Sequence, residues 1–94
     1  MYLEEDRKWF VRQAVAELRQ EWREVVCQCL TRWENSLVSE PVFVVHADMV
    51  EWGRWRGGDL RQLELHERLL LEHPWYAVAD VLRHEMAHQL RECL

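Results

Sequence analysis

Val78-Ala79-Asp80-Val81-Leu82-Arg83-His84-Glu85-Met86-Ala87-His88-Gln89-Leu90 is the stretch whose reading decides the fold. Val78, Leu82, Met86 and Leu90 recur every four residues, the spacing of one apolar face on an α-helix. Pro74 opens the run, because proline suits the first helical position, where a missing N–H costs nothing. The spacing therefore predicts a closing helix from Pro74 to about Cys93.

Working back from that helix, His66 to Glu72 reads as a brief helix through Leu69, Leu70 and Leu71. Before it, Leu60 to His66 alternates, with Leu63 and Leu65 on one side and Gln62 and Glu64 on the other, as a strand does. Gly57-Gly58-Asp59 is a turn signal that joins this strand to a preceding one over Met49–Arg56, as a hairpin. Val42-Phe43-Val44-Val45 reads as a short buried strand after Pro41, which ends any helix before it. From about Tyr2 to Leu37 there is neither Gly nor Pro, and Val11, Val15, Leu18, Trp22, Val25 and Cys29 mark an amphipathic stripe. One helix of that length spans roughly 50 Å, longer than a small domain is wide, so a bend, a break near Thr31 or an extension into a partner is expected. The resulting fold class is α+β: a long N-terminal helix, a small three-stranded antiparallel sheet and a C-terminal helix, all in one domain over residues 1–94.

The composition narrows the function classes. The chain has 94 residues, 49% of them hydrophobic, enough for a core, and a formal charge of -5 that gives no global attraction to nucleic acid or anionic membranes. Arg54, Arg56 and Arg61 form the best local basic patch, and a solvated strand-and-turn face is its ordinary reading. Cys27, Cys29 and Cys93 show no disulfide framework, and residues two apart on a helix point in different directions, so all three read as free thiols in a reducing compartment. Met1-Tyr2-Leu3 runs straight into Glu4-Glu5-Asp6, which does not suit a leader peptide, and the apolar runs are too short for a membrane span. A cytoplasmic location without membrane partners is the expectation.

The chemistry concentrates in His84-Glu85-Met86-Ala87-His88. Residues four apart lie one turn above each other, so both imidazoles can converge on one ion, and Zn²⁺ accepts His nitrogens at about 2.0–2.1 Å. His84 and His88 are therefore the candidate metal ligands. Glu85 is displaced around the helix, beside the metal, where it can act as general base toward a zinc-activated water that attacks a peptide carbonyl. A catalytic zinc normally has three protein ligands. Glu92 lies about 6 Å further along the axis and His73 roughly 16 Å back, too far to join the same ion. His46 and His66 come from outside the helix and could reach it in principle, although strand-end or turn roles are the commoner use of such histidines.

Glu51-Trp52-Gly53-Arg54-Trp55-Arg56, Gln62-Leu63-Glu64-Leu65, Leu69-Leu70-Leu71-Glu72-His73-Pro74-Trp75 and Val81 to Gln89 follow one another in an order and spacing that resemble the SprT-like zinc metallopeptidases, which include the Spartan proteases of DNA–protein crosslink repair. The likeness covers roughly the last half of the chain. It implies a zincin-like domain in which His84 and His88 bind Zn²⁺, Glu85 is catalytic and the substrate is a protein or peptide. It also implies a third ligand, usually another His, beyond the motif helix, and so a domain that is incomplete at Leu94. Association with DNA is implied by the resemblance alone. In that family the strand holding Trp52 and Trp55 borders the active-site cleft, whereas core packing is the ordinary role of the six tryptophans. The alternative function is a non-catalytic interaction module that self-associates through the N-terminal helix and keeps a vestigial or incomplete metal site.

Overall fold

The sequence from Glu4 begins with three acidic residues, which complement the positive end of a helix dipole, and a helix forms there at once. This helix, α1 (Glu4–Cys29), is followed by α2 (Arg32–Leu37), strands β1 (Val42–His46), β2 (Gly53–Arg56) and β3 (Gln62–His66), a short α3 (Glu67–Glu72) and the closing α4 (Trp75–Cys93). The structure is a computed structural model that describes residues 4–94. The helical reading of Tyr2 and Leu3, and the leader reading of Met1-Tyr2-Leu3, lie outside the described residues.

The single long helix expected to Leu37 breaks at Leu30–Thr31. Thr31 adopts an extended backbone and accepts a hydrogen bond from the Glu34 amide, while the Glu34 side chain accepts from the Thr31 amide. This reciprocal capping satisfies donors that a new helix start would leave open, so the sequence starts α2 rather than continuing α1. The buried face of α1 is Ala14, Leu18, Trp22 and Val26, with Val11, Val15 and Val25 half-buried beside it. The stripe is thus rotated toward Ala14 and Val26, and Cys29 is exposed rather than packed. Cys27 and Cys93 are exposed as well, and all three thiols are free.

The sheet is mixed, not antiparallel throughout. Its order is β1-β3-β2, with β1 parallel to β3 and β2 antiparallel to β3. The β2–β3 hairpin forms across the Gly57-Gly58-Asp59 turn as the sequence indicates. The departure lies in residues 47–52, expected to belong to a strand from Met49 but irregular, with Val50 almost fully exposed. Two strand spacings are roughly 10 Å, a gap that six residues bridge easily. The segment passes over the end of β3, where the His66 amide donates to the Trp52 carbonyl at 3.0 Å. It delivers β2 to the far edge and leaves β1 to pair with β3 in parallel.

Helices α1 and α4 pack on the sheet face that carries Phe43, Leu63, Leu65 and Trp55. Leu18, Leu63 and Leu82 are fully buried in the shared core, each contributing about 1.5–3 kcal/mol by removal from water. The opposite face carries His46, Arg54, Arg56 and Glu64. Pro74 is the N-cap of α4, one position ahead of its expected place, and its carbonyl accepts from the amides of Ala77 and Val78. Among the described residues no helix is long and apolar enough to cross a membrane.

Candidate metal centre

Two side chains fix the rotation of α4. Gln89 is 1% exposed, accepts from the Trp22 indole N–H at 2.9 Å and donates from Nε2 to the Ser39 carbonyl at 2.9 Å. At the end of the helix, Glu92 accepts from the Trp55 indole N–H at 3.0 Å and from the Gly58 amide at 2.7 Å. These two hydrogen bonds hold the Glu92 carboxyl below the ordinary carboxylate range, the backbone one contributing most. A Cβ at Gly57 would overlap that carboxylate. Glu92 is therefore a latch between α4 and the β2–β3 turn, which adds a second reason, beyond its distance along the helix, that it does not join the histidines.

With α4 set in this way, Val78, Leu82 and Met86 face the core while His84 and His88 face out. The two imidazole centres are 5.1 Å apart, with the ring planes at 83°. Imidazoles that share one tetrahedral ion at about 2.0–2.1 Å have ring centres roughly 5 Å apart, because each centre lies about 1 Å beyond its ligating nitrogen. Apart from this mutual contact, neither ring makes a hydrogen bond or ion pair with a described residue. The pair thus has a ring separation compatible with a shared divalent cation, and no other described residue bonds to either ring.

Glu85 lies on the inner shoulder of the same helix. It is 6% exposed and makes no hydrogen bond or ion pair with any described residue. It lines an open cleft of about 410 Å³ together with Glu51, Trp52, Gly53, Asp80, Val81 and His84. Gly53 is what lets strand β2 come so close. A Cβ at that position would lie 2.6 Å from Val81 Cγ1, 3.1 Å from Glu85 Cγ and 3.3 Å from a Glu85 carboxylate oxygen. Any larger residue would push against the carboxylate that the cleft presents. His88 stands one turn further along α4, outside the cleft lining.

The other histidines are engaged elsewhere. His46 Nε2 is 2.6 Å from Glu64 on the opposite face of the sheet. His66 caps α3 by accepting from the Arg68 amide, and its ring meets Trp52 edge-on. His73 meets Trp52 edge-on as well. Neither His46 nor His66 joins the pair on α4, and among the described residues no three of His, Cys, Asp and Glu form a group that could hold a metal ion. The described residues therefore bring two imidazoles together and supply no third donor beside them.

Glu64 is the polar residue whose burial the alternation of β3 does not reveal. It occupies the face away from the core, as expected, yet is 2% exposed. Arg54 and Arg56, two apart on β2, and His46 on β1 cover it, with Nε–O distances of 2.7 and 3.3 Å for the arginines. Burial on its own raises the Glu64 carboxyl, but hydrogen bonds from Arg54 and His46 and the two guanidinium charges outweigh it and hold the group below its usual value. A carboxyl lowered by folding adds stability that is complete above its unfolded value and is lost as pH falls through the folded one. Chemical denaturation across acidic pH should show this loss beginning below the model-compound value of 4.5, and Glu64→Gln should flatten it.

Comparisons of the chain with protein-family models, curated proteins and solved structures found no match. The likeness to SprT-like metallopeptidases rests on the residues of this sequence.

Proposed function

We propose that the chain carries the metal-gripping and proton-handling elements of a zinc-dependent metallopeptidase of SprT-like type, with His84 and His88 as ligands and Glu85 as general base. The observation that supports this most is the pairing of Glu85, a largely buried residue whose carboxylate is unpartnered in the cleft, with two exposed imidazoles 5.1 Å apart on the same helix. A zinc ion bound there supplies Lewis acidity, polarising a carbonyl and acidifying water at neutral pH. The chain's own residues do the rest. His84 and His88 would hold the ion. A Glu85 carboxylate oxygen takes a proton from the attacking water and returns it to the amine nitrogen as the C–N bond of the peptide breaks. Trp52 and Val81 line the cleft on either side of Gly53, with apolar surface against which a peptide can lie.

The test is a zinc titration of the purified chain. Binding should weaken about tenfold or more in His84→Ala and in His88→Ala, a loss of one nitrogen from a site that has only two from this chain. Glu85→Gln should leave that binding in place and abolish any peptide hydrolysis. Unchanged zinc affinity in both histidine variants would remove the site.

The second reading, a self-associating interaction module, is favoured by a different observation. The central stripe of α1 is used up against α3, α4 and β1, but Trp9 remains 57% exposed near its N-terminal end, as does Tyr76, 74% exposed, near the start of α4. Sedimentation of the chain decides this. A dimer that dissociates in Trp9→Glu supports the module, and a monomer leaves the metallopeptidase reading without this competitor.

A further inference from the structure

The opposite face of the sheet holds a charge arrangement that the candidate metal centre does not use. Glu64 sits at its centre, on the middle strand, with its carboxylate almost wholly withdrawn from water. Neutralising one buried carboxylate needs one guanidinium, yet two are supplied: Arg54 Nε at 2.7 Å and Arg56 Nε at 3.3 Å from the same oxygen, Oε1. The other oxygen, Oε2, is occupied by His46 Nε2 at 2.6 Å. Glu51 also acts electrostatically on Arg54, so the positive surplus beside Glu64 rests with Arg56.

The atoms used matter as much as the charge. Arg54 donates from Nε to Glu64, Arg56 Nε lies at ion-pair distance from the same carboxylate, and both side chains are half-exposed. An Nη pair presents parallel donors suited to a phosphate or a carboxylate. Arg54 and Arg56 are two apart on one strand, which separates their Cβ atoms by about 7 Å on the same face. A planar carboxylate, with two oxygens close together, matches one such fork. A tetrahedral oxyanion, with three or four acceptor oxygens facing different directions, can take both.

We propose that Arg54 and Arg56, oriented by the buried Glu64, form a binding site for a phosphate-class oxyanion on the sheet face opposite the helices. Glu64 acts as the organiser: it accepts a hydrogen bond from Arg54 Nε and holds Arg56 beside it by charge. The half-exposed side chains, 39% for Arg54 and 46% for Arg56, leave room for the ligand without rearrangement of the backbone. Two charge-assisted forks of ordinary strength on an exposed surface correspond to half-saturation on the order of 1 mM.

The site is tested by titrating inorganic phosphate, at constant ionic strength, into ¹⁵N-labelled chain while following the arginine Nε–H signals and the amides of β2 and β3. Saturable shifts at Arg54 and Arg56 are expected, with half-saturation raised about tenfold in Arg54→Gln and in Arg56→Gln. Arg61→Gln, which removes a nearby charge bonded instead to the Glu40 carbonyl, should leave binding unchanged. Glu64→Gln separates orientation from charge. It adds one positive charge to the face, so simple charge accumulation would tighten binding, whereas loss of the organiser weakens it severalfold. A parallel titration with adenosine monophosphate identifies the source: equal affinity points to the free anion, tighter binding to a phosphoryl group on a larger molecule. Non-saturating shifts, equal loss in Arg61→Gln, or tightening in Glu64→Gln would overturn the proposal. Should Glu64→Gln fail to fold, the three arginine variants decide it alone.

Discussion

Replacement of Gln89 by leucine is expected to destabilise the fold by about 2–4 kcal/mol, although the new side chain is apolar and close in size. The indole N–H of Trp22, itself 5% exposed, would lose its acceptor, and the Ser39 carbonyl would lose its donor. A buried donor left without a partner costs the desolvation it underwent in folding, about 1–3 kcal/mol for each group, with the partly wetted carbonyl at the lower end. Urea denaturation of the two proteins measures the difference. The double variant Trp22→Phe with Gln89→Leu should recover part of the loss, because removing both partners leaves nothing unsatisfied. A change below about 1 kcal/mol in the single variant would place Gln89 among ordinary core positions.

The same residue shows where the sequence was legible and where it was not. Periodicity finds α4, because Val78, Leu82, Met86 and Leu90 step along a single face and three of the four are fully buried or nearly so. It cannot find Gln89, whose neighbours in the fold are 67 and 50 positions away. The hairpin was legible from a local turn signal. The parallel pairing of β1 was not, because the path of residues 47–52 over the end of β3 depends on which strand already occupies the middle of the sheet. Glu64 follows the same logic: alternation gives its face, while its burial comes from arginines on one neighbouring strand and a histidine on the other. A break near Thr31 was one of three outcomes the length of the first helix allowed, and the capping exchange with Glu34 is what selects it.

For the candidate metal centre, the i, i+4 spacing of His84 and His88 places their rings correctly without any tertiary information. What it leaves out is the setting of Glu85, which depends on Gly53, 32 positions earlier in the chain. The histidines that sequence reasoning held in reserve, His46 and His66, turn out to be consumed by local partners, a carboxylate and a helix start. No pattern in the sequence signals those pairings, because each joins residues of different elements or exploits a cap that only the folded chain creates.

Glu85→Met is expected to make the protein more stable, by about 1 kcal/mol, against the usual sign for a substitution in a packed region. Glu85 as a residue is 6% exposed, and its carboxylate, turned to the cleft, makes no hydrogen bond or ion pair with a described residue. Methionine has a similar length, equal helix preference and an adaptable thioether that can lie along Val81. Each kcal/mol gained should raise the midpoint of thermal unfolding by about 4–8 °C in a domain of this size. The variant should at the same time lose any capacity for proton transfer in the cleft. A residue that weakens the fold, yet occupies the one position beside two free imidazoles, is what a stability–function compromise at a working site produces. If Glu85→Met proves less stable than the parent, the carboxylate must be held by interactions that offset its burial. The argument that it is kept for proton transfer would then lose its physical basis.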